Sequence, residues 1–175
     1  MVRIQVKHGG ESQTEWEFLY NCDSVCQIED ISHEIVQISN LQLKLGRLAV
    51  ELEPRLLAFH GNSQAVPLIR ALSEAKSYAS KDQILYNKAI SCFVLKDHVQ
   101  AVEREVMENY QLLGFENPNQ VQQLLTDVEL FREEATQLHW AGKHLMRDKR
   151  LCDYIGMNDK TKIVLRLQPP IPYAV

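Results

Sequence analysis

The chain has 175 residues, 45% hydrophobic content and a formal net charge of −4. That length suits about one domain, able to bury roughly 70% of its unfolded surface. The acidic balance argues against nonspecific nucleic-acid binding, which calls for a basic excess. No apolar run approaches the roughly 20 residues of a membrane span. Four cysteines without a C-x-x-C pair point to a reducing intracellular compartment rather than a disulfide framework.

At the N-terminus Val2, Ile4 and Val6 alternate, His8-Gly9-Gly10 tolerates positive φ, and Trp16, Phe18 and Tyr20 alternate again. The pattern predicts a β-hairpin. Ser24 followed by Gln27 is a helix-start signal, and Val25, Ile28, Ile31, Ile35 and Ile38 then recur at helical spacing. Leu41, Leu45, Leu48 and Leu52 carry a further stripe up to Pro54, which should end or bend that helix; the alternation of Leu41, Leu43 and Leu45 leaves a short strand open. Pro67 fits the first turn of a helix bearing Leu68, Leu72, Ala75 and Ala79. Ser91 caps another, with Leu95, Val99, Val102, Val106 and Tyr110 facing inward, and Gly114 to Asn119 reads as a loop.

Beyond that loop Leu124, Val128, Phe131, Ala135, Leu138, Gly142 and Leu145 step by four and three, predicting one helix from Val121 to about Lys149. Such a helix is roughly 43 Å long. Asp127, Glu129, Glu133 and Glu134 lie toward its start, and Lys143, His144, Arg147, Lys149 and Arg150 toward its end. This polarity complements a helix dipole, and the same basic residues, with Lys160, form a candidate docking patch for an acidic partner. Trp140 falls off the apolar seam, so it is core if a sheet covers it and a partner anchor if not.

The last segment alternates Ile163, Leu165 and Leu167 against Lys162 and Arg166, with Val164 ambiguous. A lone strand needs a neighbour, and the N-terminal hairpin supplies the other convincing strand pattern. The predicted fold class is therefore α+β: a β-grasp closed by the C-terminal strand, with a large helical insertion including one long helix. The expected organisation is a hairpin and helix over 1–40, a helical insertion over 41–120, the long helix over 121–150, a closing turn and strand over 151–168, and a tail over 169–175. The ends also resemble ubiquitin, through Leu151, Asp153-Tyr154, a polar turn and the strand from Ile163 to Leu167. That resemblance implies a buried Tyr154 whose hydroxyl bonds to backbone at the turn.

Catalytic patterns are lacking. His8-Gly9-Gly10 has no accompanying G-x-S-x-G elbow, and His33-Glu34 lacks the second histidine of a zinc protease motif. His139 and His144, five apart, would lie on different faces of the predicted helix, which argues against a shared metal. Cys22 and Cys26 read as a semi-buried structural pair, and Glu133-Glu134 as a solvated helix face. No enzyme activity, cofactor or metal is expected.

The segment EEATQLHWAGKHLMRDKRLCDYIGMNDKTKIVLRLQ resembles the Kurly family of cilia- and flagella-associated proteins. The matching residues are Glu134, Ala135, Gln137, Leu138, Trp140, Ala141, Lys143 and Leu145, then Asp153, Tyr154 and Gly156, then Lys160 to Ile163. Val6-Lys7, Gly9 and Glu11-Ser12-Gln13 add a similar start, and Glu74-Ala75-Lys76, Ser80-Lys81 and Lys96-Asp97 a weaker middle. The chain departs in its linker between the early helices and in closing on QPPIPYAV where the family carries a charged tail. Tyr154, Trp140 and Gly156 are expected to be structural rather than partner-binding residues. The resemblance implies a non-enzymatic protein of motile cilia, in the axoneme and cytoplasm, with dynein-arm or doublet-microtubule components or dynein assembly factors as partners, and neither nucleic acid nor membrane. The alternative is a cytoplasmic ubiquitin-like adaptor unrelated to cilia; a ubiquitin-like modifier is not expected, since Pro-Pro-Ile-Pro-Tyr-Ala-Val offers no Gly-Gly.

Overall fold

A computed structural model describes residues 1–9, 15–59 and 61–168. Gly10 of the predicted hairpin turn, the matched Glu11-Ser12-Gln13 and the 169–175 tail lie outside the described residues.

Strands β1 (Val2–His8) and β2 (Trp16–Cys22) form the antiparallel hairpin. Period-two alternation places Val2, Ile4, Val6 and His8 on one face, each 0% exposed. The last strand, β5 (Lys162–Gln168), runs parallel to β1, with Ile4 opposite Ile163 and Val6 opposite Leu165. The two ends of the chain are therefore adjacent ladders. With β3 (Gln137–Trp140) and β4 (Lys143–His144) the sheet order is β2-β1-β5-β3-β4. A leading hairpin, a helix and a closing strand parallel to the first make this a ubiquitin-like β-grasp with inserted helices, the α+β class expected.

Helix α1 (Ile28–Leu57) joins the two predicted helical stripes into one element of 30 residues. Ile28, Ile31, Ile35, Ile38, Leu45, Leu48 and Leu52 are at most 1% exposed, so the helical period continues through Leu41–Leu45 and the strand alternative fails. Pro54 lies inside the helix, one turn from its end, where the missing N–H removes a single ladder bond. The helix starts at Ile28 rather than after Ser24 because Ser24 is engaged elsewhere. Its carbonyl accepts from the Cys152 amide at 2.7 Å, and its amide donates to Asp159 Oδ1 at 3.3 Å.

The chain divides into two compact units: Met1–Ser39, Ser80–Cys92 and Phe131–Val175 make the first, and Asn40–Ala79 with Phe93–Leu130 the second. The first holds the sheet, the start of α1, and the short helices α3 (Asp82–Leu85) and α6 (Cys152–Ile155). Its β2 edge is covered by the segment after α3, where the Ile90 amide donates to the Leu19 carbonyl at 2.9 Å. The second unit is helical. In α2 (Val66–Ala79) the buried residues are Leu68, Leu72, Ala75 and Ala79, and in α4 (Cys92–Glu108) Leu95, Val99, Val102 and Val106, as their spacing predicts. Gln42 Nε2 donates to the Ala79 carbonyl at 3.2 Å. Arg55 donates to the Leu113 carbonyl at 2.7 Å with its guanidinium 4.4 Å from the Phe115 ring centroid. Asn117 caps α5 (Pro118–Thr126) by accepting from the Gln120 amide at 3.1 Å.

The long helix expected over 121–150 does not form. Helix α5 ends at Thr126, Asp127 leaves the helical region at φ −83° and ψ 56°, and β3 and β4 occupy the later part of the span. The physical reason lies in the ladder edge of β5, whose Arg166, Leu167 and Gln168 pair antiparallel with His139, Leu138 and Gln137. A strand here satisfies β5 along that edge, and the turn residues Ala141 and Gly142, at φ 50° and 80°, are incompatible with a right-handed helix. Leu138 and Leu145 are still both buried, but as hairpin neighbours rather than as two turns of one helix. The dipole explanation of the charge polarity falls with the helix.

Candidate functional site

The C-terminal segment that carries the predicted site residues is a hairpin followed by a knot of tight turns. Across β3 and β4, Trp140 faces Lys143 and His139 faces His144. The two imidazole rings stack at 5.5 Å with planes 12° apart. Their assignment to different helical faces is therefore corrected: they are cross-strand neighbours. Burial, and then the positive charge of His144, push the His139 pKa below its ordinary value. Among the described residues no group of three or more His, Cys, Asp or Glu side chains converges as a metal site.

The six predicted partner-binding residues separate into different environments. Arg147 is half-buried, and its guanidinium donates to the carbonyls of Glu133 and, at 3.1 Å, Thr136, which ties it to the segment before β3. Lys143 and His144 form the exposed edge strand, while Lys149 holds its ammonium 5.8 Å from the Tyr154 ring centroid. The Lys149 carbonyl accepts from the Ile28 amide at 2.9 Å, and the Arg150 amide donates to Asp153 Oδ2 at 2.8 Å. Lys160 sits in the turn before β5, its amide donating to Asn158 Oδ1 at 3.0 Å. Asp148, Asp153 and Asp159 are interleaved with these cations, which breaks up a uniform basic patch.

Of the three residues expected to be structural, Tyr154 and Gly156 sit at defined backbone contacts. Tyr154 Oη accepts from the Met146 amide at 2.8 Å, the backbone bond expected of it, although the ring is half-buried rather than buried. Gly156, at φ 80°, terminates α6 with its amide donating to the Cys152 carbonyl at 2.9 Å. No atom lies within 4 Å of where its Cβ would stand, so the requirement is conformational rather than steric. Trp140 is half-buried at the end of β3, between the two environments considered for it.

The sheet's outer face brings together charges that are far apart in sequence. Arg3 lies opposite Lys162, Gln5 opposite Val164, and Lys7 opposite Arg166. Arg166 also lies opposite His139, so a row of Lys7, Arg166, His139 and His144 crosses four strands. Glu17 pairs with Lys7 at 3.2 Å and Glu15 with Arg166 at 2.6 Å. The alternation of Lys162 and Arg166 was visible in the sequence, but their alignment with Arg3 and Lys7 depends on the β1–β5 register.

Cys22 and Cys26 are free thiols, Cys22 buried and Cys26 half-buried. Burial first, and then the neighbouring Cys26, push the Cys22 thiol up to about 12. His8, read with Gly9 as a turn, is instead the last inward residue of β1, its ring 6.1 Å from Phe18 and 5.7 Å from Phe131 in edge contacts.

Sheet order, closing strand and inserted helices thus define an α+β protein of the ubiquitin-like β-grasp class. Residues 136–172, the span of β3, β4, α6 and β5, match the family model described as cilia- and flagella-associated protein 298. The chain is similar to proteins of that name along nearly all of its length. It is 27% identical to the protein of that name from Danio rerio, over 96% of this chain and 76% of the relative. The Homo sapiens protein is 26% identical over the same shares, and the Drosophila melanogaster protein 22% over 95% and 76%. No solved structure matches the chain.

Proposed function

We infer that the protein is a non-enzymatic component of motile cilia that works through protein–protein contacts, either lodged in the axoneme or acting on dynein arms before their transport. The observation that carries this reading is similarity over 96% of the chain to proteins named for their association with cilia and flagella. The matched family segment falls on the hairpin and closing strand, so the resemblance covers the part of the fold that presents the basic residues. Exposed apolar side chains favour contacts with other proteins: Leu85 and Tyr86 at the end of α3 are 81% and 69% exposed.

Fractionation of cells bearing motile cilia tests the reading. Tagged protein retained in salt-washed axonemes identifies a built-in component. Recovery from the cell body, together with loss of dynein arms on depletion, identifies an assembly factor. Expression confined to cells without cilia would overturn both and leave the cytoplasmic adaptor.

A further inference from the structure

We propose that the outer face of the sheet, centred on Val164 and flanked by Arg3, Lys7, Lys162 and Arg166, docks an extended acidic segment of a partner protein. The proposal rests on the protein–protein reading above and specifies its surface and the chemistry of its partner.

Cations placed opposite one another on neighbouring strands cost stability. Here the register sets Arg3 against Lys162 and Lys7 against Arg166, and continues the second row into His139 and His144. Glu15 and Glu17 answer Arg166 and Lys7, while Arg3 Nε donates to the neutral Asn21 at 3.4 Å and Lys162 is exposed. The face thus carries more positive than negative side chains in a chain whose net charge is −4. A rule of sheet pairing is broken twice on one face, in the rows on either side of Gln5 and Val164, which marks a surface shaped by something other than folding.

The two rows have an apolar floor between them. Val164 is 48% exposed, although Ile163, Leu165 and Leu167 on the same strand are at most 6% exposed. Lys162 and Arg166 are four residues apart on one strand, about 13 Å at the rise of a β-strand. An extended segment with acidic residues at both ends and one apolar side chain midway matches this spacing. Charge complementarity selects an acidic ligand, and the exposed Val164 between the two cationic rows selects a protein segment over nucleic acid, because a phosphate backbone carries no apolar side chain to set there. Addition of a strand at the β4 edge is disfavoured, since that strand has two residues and presents a lysine.

The test uses the full chain and a fluorescein-labelled synthetic peptide, EEDGLGDEE, with binding read by anisotropy and located by amide shifts in a labelled sample. Saturable binding is expected, with shifts on β1 and β5 around Val164. It should weaken roughly tenfold in Lys162→Gln/Arg166→Gln and again between low salt and about 0.15 M salt. The conservative Val164→Thr variant, which keeps a β-branched strand residue, should also weaken it, while Lys149→Gln/Lys160→Gln should not. Absence of binding, shifts confined to 143–160, or equal affinity for single-stranded DNA of matched charge would each overturn the proposal. Peptide binding by a protein absent from cilia would keep the surface and remove the ciliary reading; axonemal retention without peptide binding would do the reverse.

Discussion

The main-chain amide of Leu145 donates to the carbonyl of Leu138 at 2.9 Å, making neighbours of two side chains that are each 1% exposed. The turn that allows this puts Ala141 at φ 50° and Gly142 at φ 80°, the geometry for which an Asn-Gly pair is preferred. Ala141 carries a Cβ in a left-handed conformation, at a cost of roughly 1–2 kcal/mol. Ala141→Asn or Ala141→Gly should therefore raise stability by about 0.5–1 kcal/mol, seen as a melting temperature higher by a few degrees. Gly142→Ala should lose about 1 kcal/mol, with no steric part because nothing lies within 4 Å of the added carbon. A lower melting temperature for Ala141→Asn would show that the turn does not govern the hairpin.

Leu138 and Leu145 also show where sequence patterns stop being decisive. A separation of seven suits two helical turns, and it equally suits a hairpin whose arms meet across a two-residue turn. Ala-Gly is a weak turn signal, so the helical reading had nothing local to oppose it. In α2 the period was unambiguous, because Leu68, Leu72, Ala75 and Ala79 alternate with polar residues that fit a single geometry. The alternation of β1 and β5 was equally legible, and with it the closure of the chain. The site was less so. Arg147 looked like a free surface cation, but carbonyls of Glu133 and Thr136 claim it, and those acceptors are invisible to a pattern of side-chain types. The opposition of Arg3 and Lys162 requires a register set by residues from the two ends of the chain.

Tyr154 makes a separable contribution to the turn. Its hydroxyl oxygen accepts from the Met146 amide at 2.8 Å, while its ring faces the Lys149 ammonium. Tyr154→Phe removes the first contact and keeps the second, so a loss of about 1 kcal/mol is expected in urea unfolding. Tyr154→Ala should lose more, since it removes ring packing as well. An unchanged midpoint for the phenylalanine variant would mean that water replaces the hydroxyl at no cost.

Cys22 should be a slow-reacting thiol in the native protein. It is 5% exposed, and burial holds its thiol well above the ordinary value of 9.0, at about 12. At neutral pH a disulfide reagent should modify Cys22 only as fast as the chain opens, and in denaturant at the rate of an ordinary cysteine. Because the folded-state pKa is raised, the associated stability is fully present below 9.0 and is lost as pH rises toward 12. Tyr20 shifts in the same direction through burial and its bond to Glu34. Cys22→Ser should therefore flatten the alkaline fall in melting temperature, with Tyr20→Phe flattening it further. Rapid native labelling of Cys22 would contradict the packing of β2 against the core.

The stacked pair His139 and His144 gives the opposite sign on the acid side. Burial and then the charge of His144 lower the His139 pKa below 6.5, so the unfolded chain takes up this proton more readily than the folded one. The associated stability is present above 6.5 and is lost as pH falls from there through the lowered folded value. His144→Gln removes the repulsion but not the burial, so the His139 imidazole should titrate at a higher pH than in the parent while staying below 6.5. His139→Gln should remove this part of the acid sensitivity altogether. Imidazole proton shifts followed by NMR across this range distinguish the two causes. A His139 midpoint unmoved by His144→Gln would assign the whole shift to burial and show that rings 5.5 Å apart in the structure do not sense each other's charge in solution.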